Sequence, residues 1–457
     1  MTGESCLAIV LAAGLGTRMK SALPKVLHEI GNFPLVGHVL KAVQAAGADE
    51  VAVVVGPDME ALEKASREIV PDAKCFVQVD RLGTAHAAKA AEGAYLESTV
   101  DHVLVLFGDT PLVTPQTFRA IRAELSAGSD LVVLGFEAAD PHGYGRLITD
   151  GDKLLAIREE KDASDEERKV TLCNAGIMGF RREHFASLVN RIENNNAKGE
   201  YYLTDAVEVA HADGLKISVT TAAEAEVQGI NNRAQLAACE AVFQERMRQS
   251  AMADGVTLQA PETVYFSQDT RIAPDVVVEP NVVFGPGVSV ESGVRIRAFS
   301  HLERASVAKD ATVGPYARLR PNAKIGEGAH IGNFVEIKNA SIEQGAKVNH
   351  LSYIGDARVG AKTNVGAGTI TCNYDGYFKY HTDVGNGVFV GSNSILVAPV
   401  SIGDGALVAA GSVITEDVPS QAMAFGRAQQ VVKEGRASEM RARLEKEKEL
   451  QKAKANS

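Results

Sequence analysis

At 457 residues the chain is too long for one compact domain, and its 45% hydrophobic and 23% charged residues are those of a globular protein built as two or three domains. A formal net charge of −11 excludes non-specific nucleic-acid binding, which needs a basic face, so phosphate chemistry must rest on a few placed cations or a metal. No uncharged apolar segment is long enough to span a bilayer, and no membrane partner is expected.

The amino-terminal MTGESCLAIVLAAGLG has no basic leader, and glycines break its apolar run. It is expected to form a first strand and turn rather than a signal peptide. The five cysteines (Cys6, Cys75, Cys173, Cys239 and Cys372) are scattered and lack CxxC spacing, as expected of a cytoplasmic protein without structural zinc.

Up to about residue 230, short β-branched runs alternate with helical stretches. CLAIVLAA, EVAVVVG, CFVQV, HVLVLFGD and DLVVLGF are nearly continuous apolar runs, as in parallel strands buried on both faces. PLVGHVLKAVQAAG, ALEKASREIV and GTAHAAKAAEGAY between them predict helices. This order implies a doubly wound α/β sheet of Rossmann type, with ligands at the carboxyl ends of its strands.

The stretch LAAGLGTRMKSALPKVL, residues 11–27, follows the first strand. A glycine-rich turn between strand and helix turns backbone N–H groups toward anionic oxygens. It matches neither GxGxxG nor the P-loop pattern. Two cations at fixed distance, Arg18 and Lys25, sharpen it into a triphosphate cradle. In FGDTPL, Asp109 stands just beyond an apolar strand, where a carboxylate serves Mg²⁺ and a nucleotide, or else caps the next turn.

NNRAQLAACEAVFQERMRQSAMADG reads as one connecting helix, capped by an Asn and followed by Gly255. Beyond it, Ile272, Val278, Phe284, Val290, Ile296 and Leu302 lie six apart; the series resumes at Val307, Val313, Leu319, Ile325, Ile331 and Ile337, and again from Val384 to Ile414. A period of six fits neither a helix nor an ordinary strand. It fits a parallel β-helix, in which three hexads complete a triangular coil and the aliphatic residues form a buried column. CNYDGYFKYHTD interrupts the repeat between Thr371 and Val384 and must loop out of the wall. The charged tail after Arg436 is expected to be a solvated helix or frayed end.

Within AKVNHLSYIG, His350 and Tyr353 are out of place in a repeat of small residues and aliphatic plugs. With Arg318, Arg320, Lys338, Asn364, Asn373 and Tyr374 they are expected to converge on one patch of wall, because coils stack about 4.8 Å apart. Cations there would hold a sugar phosphate, and a His would take a proton from an amine.

The motifs LAAGLGTRM…PK, RLGTAHA, GDTPL, GYGR, EEKDA, CNAGI, GEYYLTD and INNR occur in the order seen in sugar-1-phosphate nucleotidyltransferases. Joined to hexapeptide repeats, the chain resembles the bacterial family of bifunctional N-acetylglucosamine-1-phosphate uridyltransferases/glucosamine-1-phosphate acetyltransferases. That resemblance implies a Rossmann-like nucleotidyltransferase domain over 1–230, a linker helix over 231–251, and a left-handed parallel β-helix acetyltransferase domain with its tail over 252–457.

It also implies roles for individual residues. Leu11, Ala12, Ala13, Gly14, Gln78, Gly83, Thr84 and Gly108 would hold the uridine nucleotide, with Lys25 and Arg18 acting on its phosphates. Gly145, Glu159 and Asn174 would line the sugar site, and Asp109 and Asn231 would bind Mg²⁺, with Asn232 left to cap the helix. His350 would be the acetyl-transfer base, and Arg320, Lys338, Tyr353 and Asn364 would bind sugar phosphate. Ala367, Asn373, Tyr374, Ser392, Ala410 and Arg427 would hold acetyl-CoA, and the chain would be a homotrimer. Two positions depart from the family pattern: Leu15 stands where Lys is usual, removing a charge near the phosphates, and Phe107 where Tyr is usual, removing a phenol near the sugar.

The expected function is synthesis of UDP-N-acetylglucosamine from glucosamine 1-phosphate, acetyl-CoA and UTP. One rival is a single-activity nucleotidyltransferase with a non-catalytic β-helix, which would have no use for the polar cluster around His350. Another is an inactive sugar-nucleotide sensor, which would not need both Asp109 and Asn231.

Overall fold

The computed structural model describes residues 3–151 and 153–455. By contacts the chain divides into two compact units, Met1–Ile272 with Pro280–Val288, and Ala273–Glu279 with Ser289–Ser457.

The first unit is built on a nine-stranded sheet. Cys6–Leu11 lies at its centre, parallel to both Glu50–Val55 and His102–Phe107. Alternate residues of this strand enter different cores: Cys6, Ala8 and Val10 one, Leu7, Ile9 and Leu11 the other. Burial on both faces is why the strands read as unbroken apolar runs.

The sheet is mixed rather than wholly parallel. Leu172–Arg181 inserts antiparallel between His102–Phe107 and Leu131–Glu137. CNAGI lies in this strand, whose register shifts between Asn174 and Met178. Such a bulge re-aims side chains, and here it depends on Gly176, at φ +77°, where a Cβ would strike the Phe107 ring.

The expected helices at 35 and 60 form as Leu35–Ala45 and Glu60–Ile69. GTAHAAKAAEGAY instead yields two short helices, Thr84–Ala90 and Glu92–Glu97, broken at Ala91. Gly93, a poor helix former, is the second residue of the second helix.

The connecting helix runs Arg233–Ala253, with the Asn232 side chain accepting from Gln235 N–H at 2.9 Å as its cap. Cys239 and Phe243 pack with Met19, Ile30, Leu35, Leu112 and Ile230. Gln244, buried, donates to Phe266 O and accepts from Phe266 N–H at 2.7 and 2.8 Å. The helix therefore belongs to the first unit.

The second unit is the expected β-helix. One wall stacks Val278, Ile296, Val313, Ile331, Val348, Val365, Val390 and Val408 in register. A second stacks Leu302, Leu319, Ile337 and Ile354, and a third Val290, Val307, Ile325, Ile342, Val359, Val384 and Ile402. All are buried, forming the aliphatic columns that the six-residue period implied. The step between coils lengthens at the insertion, whose Tyr377 and Phe378 are 88% and 67% exposed. The tail forms the helix Arg436–Ala455, with no buried residue. No helix among the described residues is long and apolar enough to cross a membrane.

Candidate active sites

Pairing of Leu11 with Phe107 brings the glycine-rich turn beside the segment carrying Asp109. Gly16, at φ +59°, lets the stem of Lys25 pass: a Cβ there would lie 2.5 Å from Lys25 Cβ. Lys25 Nζ pairs with the Asp109 carboxylate and donates to Asn231 Oδ1 at 3.2 Å. Arg18, exposed, donates to the same oxygen at 2.8 Å.

A cavity of about 270 Å³ opens here, lined by Leu11, Ala12, Ala13, Gly14, Lys25, Gln78, Gly83, Thr84 and Asp109. Gly83, at φ +119°, is required because a Cβ would press on the Tyr201 backbone. Gln78, 4% exposed, spends its amide N–H groups on Gly83 O and the His86 ring, each 3.2 Å away, so its oxygen is left to accept. Gly108 lies behind the turn, donating to Leu11 O at 3.0 Å, and lines neither cavity described here.

A second cavity, of about 430 Å³, contains Gly145, Glu159, Asn174 and Asn231. Thr84, Phe107, Asp109 and Glu200 line both cavities, so Asp109 stands where their occupants would meet. Asn174 N–H donates to Gly145 O at 2.8 Å. Burial pushes the Glu159 carboxyl up, opposed by Lys198 and by the Thr204 hydroxyl 3.5 Å away. Of the two departures, Leu15 is 60% exposed, whereas the Phe107 ring faces both cavities.

Residues that sequence reasoning did not single out complete this site. Arg81 lines the first cavity and donates Nε–H to Ala13 O at 2.7 Å. Arg146, 1% exposed, pairs with Glu160 at 2.7 Å, and Glu160 accepts from Gly143 N–H at 3.1 Å, fixing the loop that carries Gly145. The signal was present, since GYGR and EEKDA contain both partners. Asp205 lies behind Glu159 and is pushed up to about 6 by burial, then by Glu208 and Glu159. The folded chain holds that proton between 3.8 and about 6, where the unfolded chain has lost it, so the carboxylate opposes folding as pH rises through this window. Asp205→Asn is therefore expected to raise the melting temperature more at pH 8 than at pH 4.5. An equal shift at both would refute this.

Among the described residues no group of three or more His, Cys, Asp or Glu is placed to hold a metal. The oxygens available are the Asp109 carboxylate and the Asn231 carbonyl, which converge on Lys25 Nζ. Two hard oxygens with one charge suit a divalent ion that keeps waters and takes further ligands from phosphates.

On the β-helix, the expected residues occupy two walls rather than one patch. His350 ends the strand Lys347–His350 and pairs with Asn333 one coil away, its Nδ1 lying 2.8 Å from Asn333 Oδ1. Asn364 follows on the same wall, beside Lys347 and Phe389. Around the corner at Leu351 and Ser352, Arg320, Glu336, Lys338 and Tyr353 lie on the next wall. Arg320 donates to Glu336 at 2.7 Å, which raises its pKa. Burial and then Lys379 hold the Lys338 ammonium below its usual pKa. Lys379 belongs to the insertion and was missed.

Three of the six expected acetyl-CoA residues, Ala367, Ser392 and Ala410, line up with His350 along one corner. Gly368 N–H donates to His350 O at 3.2 Å, Asn393 to Ala367 O at 2.7 Å and Gly411 to Ser392 O at 2.8 Å. Ala367, Ser392 and Ala410 thus form a track of small side chains on successive coils. Three steps of about 4.8 Å span roughly 14 Å, which suits a long, thin ligand. Asn373 is 7% exposed and donates to Asp356, while Tyr374 and Arg427 are exposed.

Residues 8–171 match the model of the MobA-like NTP transferase domain, and residues 301–414 that of the GMPPB C-terminal domain. The bifunctional protein GlmU of Azorhizobium caulinodans is 58% identical over 97% of this chain and 98% of its own. That of Xanthobacter autotrophicus is 58% identical over 98% of this chain and 100% of its own. The chain belongs to the GlmU family of bifunctional proteins. Full-length identity of this order carries the resemblance read from the motifs, so the chain is a bifunctional enzyme with uridyltransferase and acetyltransferase activities. Divalent-metal dependence goes with the GlmU family and its NTP transferase domain.

Proposed function

We propose that the two sites divide the synthesis of UDP-N-acetylglucosamine between the nucleotidyltransferase domain and the β-helix, which the helix Arg233–Ala253 joins along the chain. The chain acetylates glucosamine 1-phosphate from acetyl-CoA, then uridylylates the product from UTP. The observation that carries this is the meeting of two cavities at Asp109, with Lys25 lining one and Asn231 the other, together with a histidine at the head of a small-residue track on the β-helix.

In uridylyl transfer, Leu11 to Gly14, Gln78, Gly83 and Thr84 hold the nucleotide, with the free Gln78 oxygen suited to the uracil imide N–H. Gly145, Glu159 and Asn174 hold the sugar. Mg²⁺ held by Asp109 and Asn231 would neutralise charge on the phosphate oxygens. An oxygen of the sugar phosphate attacks the α-phosphorus, the bond to the β-phosphate bridging oxygen breaks, and pyrophosphate leaves. Lys25 and Arg18 bring positive charge to the phosphates, so positioning and electrostatics supply the acceleration.

In acetyl transfer, Arg320, Lys338, Tyr353 and Asn364 bind the sugar phosphate, and Ala367, Asn373, Tyr374, Ser392, Ala410 and Arg427 bind acetyl-CoA. With Asn333 Oδ1 accepting from His350 Nδ1–H, the tautomer that this reading needs, Nε2 is left as base. The sugar amine attacks the thioester carbonyl carbon, Nε2 takes its proton, and the C–S bond breaks to release coenzyme A thiolate.

A homotrimer fits the exposed ladder of Phe299, Tyr316, Phe334 and Leu351 along the corner beside His350, whose first three rings stack at 4.9 and 5.2 Å. A monomer would leave this apolar stripe in water.

With glucosamine 1-phosphate, acetyl-CoA, UTP and Mg²⁺, the protein should release free thiol and pyrophosphate in equal amounts. Pyrophosphate release should require either acetyl-CoA or added N-acetylglucosamine 1-phosphate. Pyrophosphate formed from N-acetylglucosamine 1-phosphate without any thiol release from glucosamine 1-phosphate would favour the single-activity alternative.

A further inference from the structure

We propose that Asp356 is a positioning residue for acetyl transfer, pinning Asn373 so that the Asn373 side-chain oxygen faces substrate and accepts from a substrate N–H. The inference rests on the acetyl-transfer reading of this wall.

Asn322, Asn339 and Asp356 occupy one corner on successive coils, 17 residues apart. Asn322 Nδ2 donates to Asn339 Oδ1 at 3.3 Å, and Asn339 Nδ2 to Asp356 Oδ1 at 2.5 Å. From the other side, Asn373 Nδ2 donates to Asp356 Oδ2. An ionised carboxylate only accepts, so both amides must turn their NH₂ groups toward it. The usual ambiguity in assigning amide O and N is thereby removed on chemical grounds.

Backbone geometry explains part of this ladder. Asn322, Asn339 and Asp356 have φ of +66°, +45° and +46°, a region that Asn and Asp tolerate better than other side chains. Corner geometry does not account for Asn373, which opens the insertion, has no positive φ and is 7% exposed. Nor does it account for a carboxylate at 356, since Asn would suit the corner equally and leave Asn373 free to flip. The charge of Asp356 also reaches Lys338, raising its pKa against the larger effects of burial and Lys379. The Asn373 backbone carbonyl is occupied by Tyr380 N–H at 2.9 Å. What Asn373 presents is therefore an acceptor, suited to an amide N–H of the pantetheine arm or to the amino group of the sugar.

The test uses full-length Asp356→Asn, Asn373→Ala, the double variant Asp356→Asn/Asn373→Ala, and the swapped pair Asp356→Asn/Asn373→Asp. Asp356→Asn should lower kcat/KM for acetyl transfer by about tenfold or more, as loss of an orienting partner does at other sites. Its melting temperature should stay near the parent's. The double variant should be no worse than Asn373→Ala, because both remove one function. The swapped pair restores a donor–acceptor contact of reversed polarity and should recover part of the loss, which also covers the case in which Asp356→Asn alone melts early. A raised KM for acetyl-CoA would identify the pantetheine amide as the donor, whereas a raised KM for the sugar phosphate or a lowered kcat would identify the amine. The inference is overturned if Asn373→Ala is impaired while Asp356→Asn is not, or if the double variant loses the product of the two single effects. Should Asn373→Ala and His350→Ala both leave thiol release intact, the acetyl-transfer reading itself fails, and the inference with it.

Discussion

Asp109→Asn is expected to cut pyrophosphate release by about two orders of magnitude or more, the scale seen when a preorganised charge partner is removed from a reacting oxygen. The substitution keeps the side chain's shape and removes its charge. Asp109 lines both cavities and pairs with Lys25, whose ammonium also reaches Asn231, so one carboxylate sets the position of the cation that bridges to Asn231. Without it, Lys25 keeps only the neutral Asn231 oxygen, and a divalent ion held as proposed would lose its one charged protein ligand. Raising Mg²⁺ should restore part of the rate, and thiol release should be unaffected. A near-normal rate at ordinary Mg²⁺ would reduce Asp109 to a turn-capping residue.

His350→Ala is expected to lower acetyl transfer by about two orders of magnitude or more, in line with general-base contributions. A lone wall histidine is more often a satisfied structural residue, but this one is exposed and makes its side-chain hydrogen bond to Asn333 through one nitrogen. The buried columns beside it, Val348 and Ile354, do not depend on the ring. Melting temperature and uridylyl transfer should therefore hardly change. Intact thiol release, or unfolding of the β-helix, would show that the histidine is structural.

The β-helix was legible because its column needs one aliphatic residue every six, a demand written into consecutive positions from Val278 onward. The glycine-rich turn, Asp109 and Asn231 were legible as motifs, and Asn232 took the cap as expected. The antiparallel strand Leu172–Arg181 was not, because a bulge carrying Asn174 and Gly176 breaks its alternation. Partners set by coil register were hidden as well. Asn333 meets His350, and Asp356 meets Asn373, only because each pair is 17 residues apart on a coil, a spacing with no local signature. Lys379 was hidden for another reason: an insertion carries no period from which to place it beside Lys338. The same register separates His350 and the Arg320–Lys338–Tyr353 group onto adjoining walls, where a count along the sequence had put them together.

The central claim is two independent active sites on one chain. It is tested most directly by supplying glucosamine 1-phosphate, acetyl-CoA, UTP and Mg²⁺ to Asp109→Asn, to His350→Ala, and to a mixture of the two, and measuring UDP-N-acetylglucosamine. Each variant alone should form almost none, Asp109→Asn stopping after thiol release and His350→Ala before it. The mixture should form it readily, because acetylated sugar phosphate released by one protein is substrate for the other. A mixture as inactive as its components, or either variant losing both half-reactions, would contradict the account.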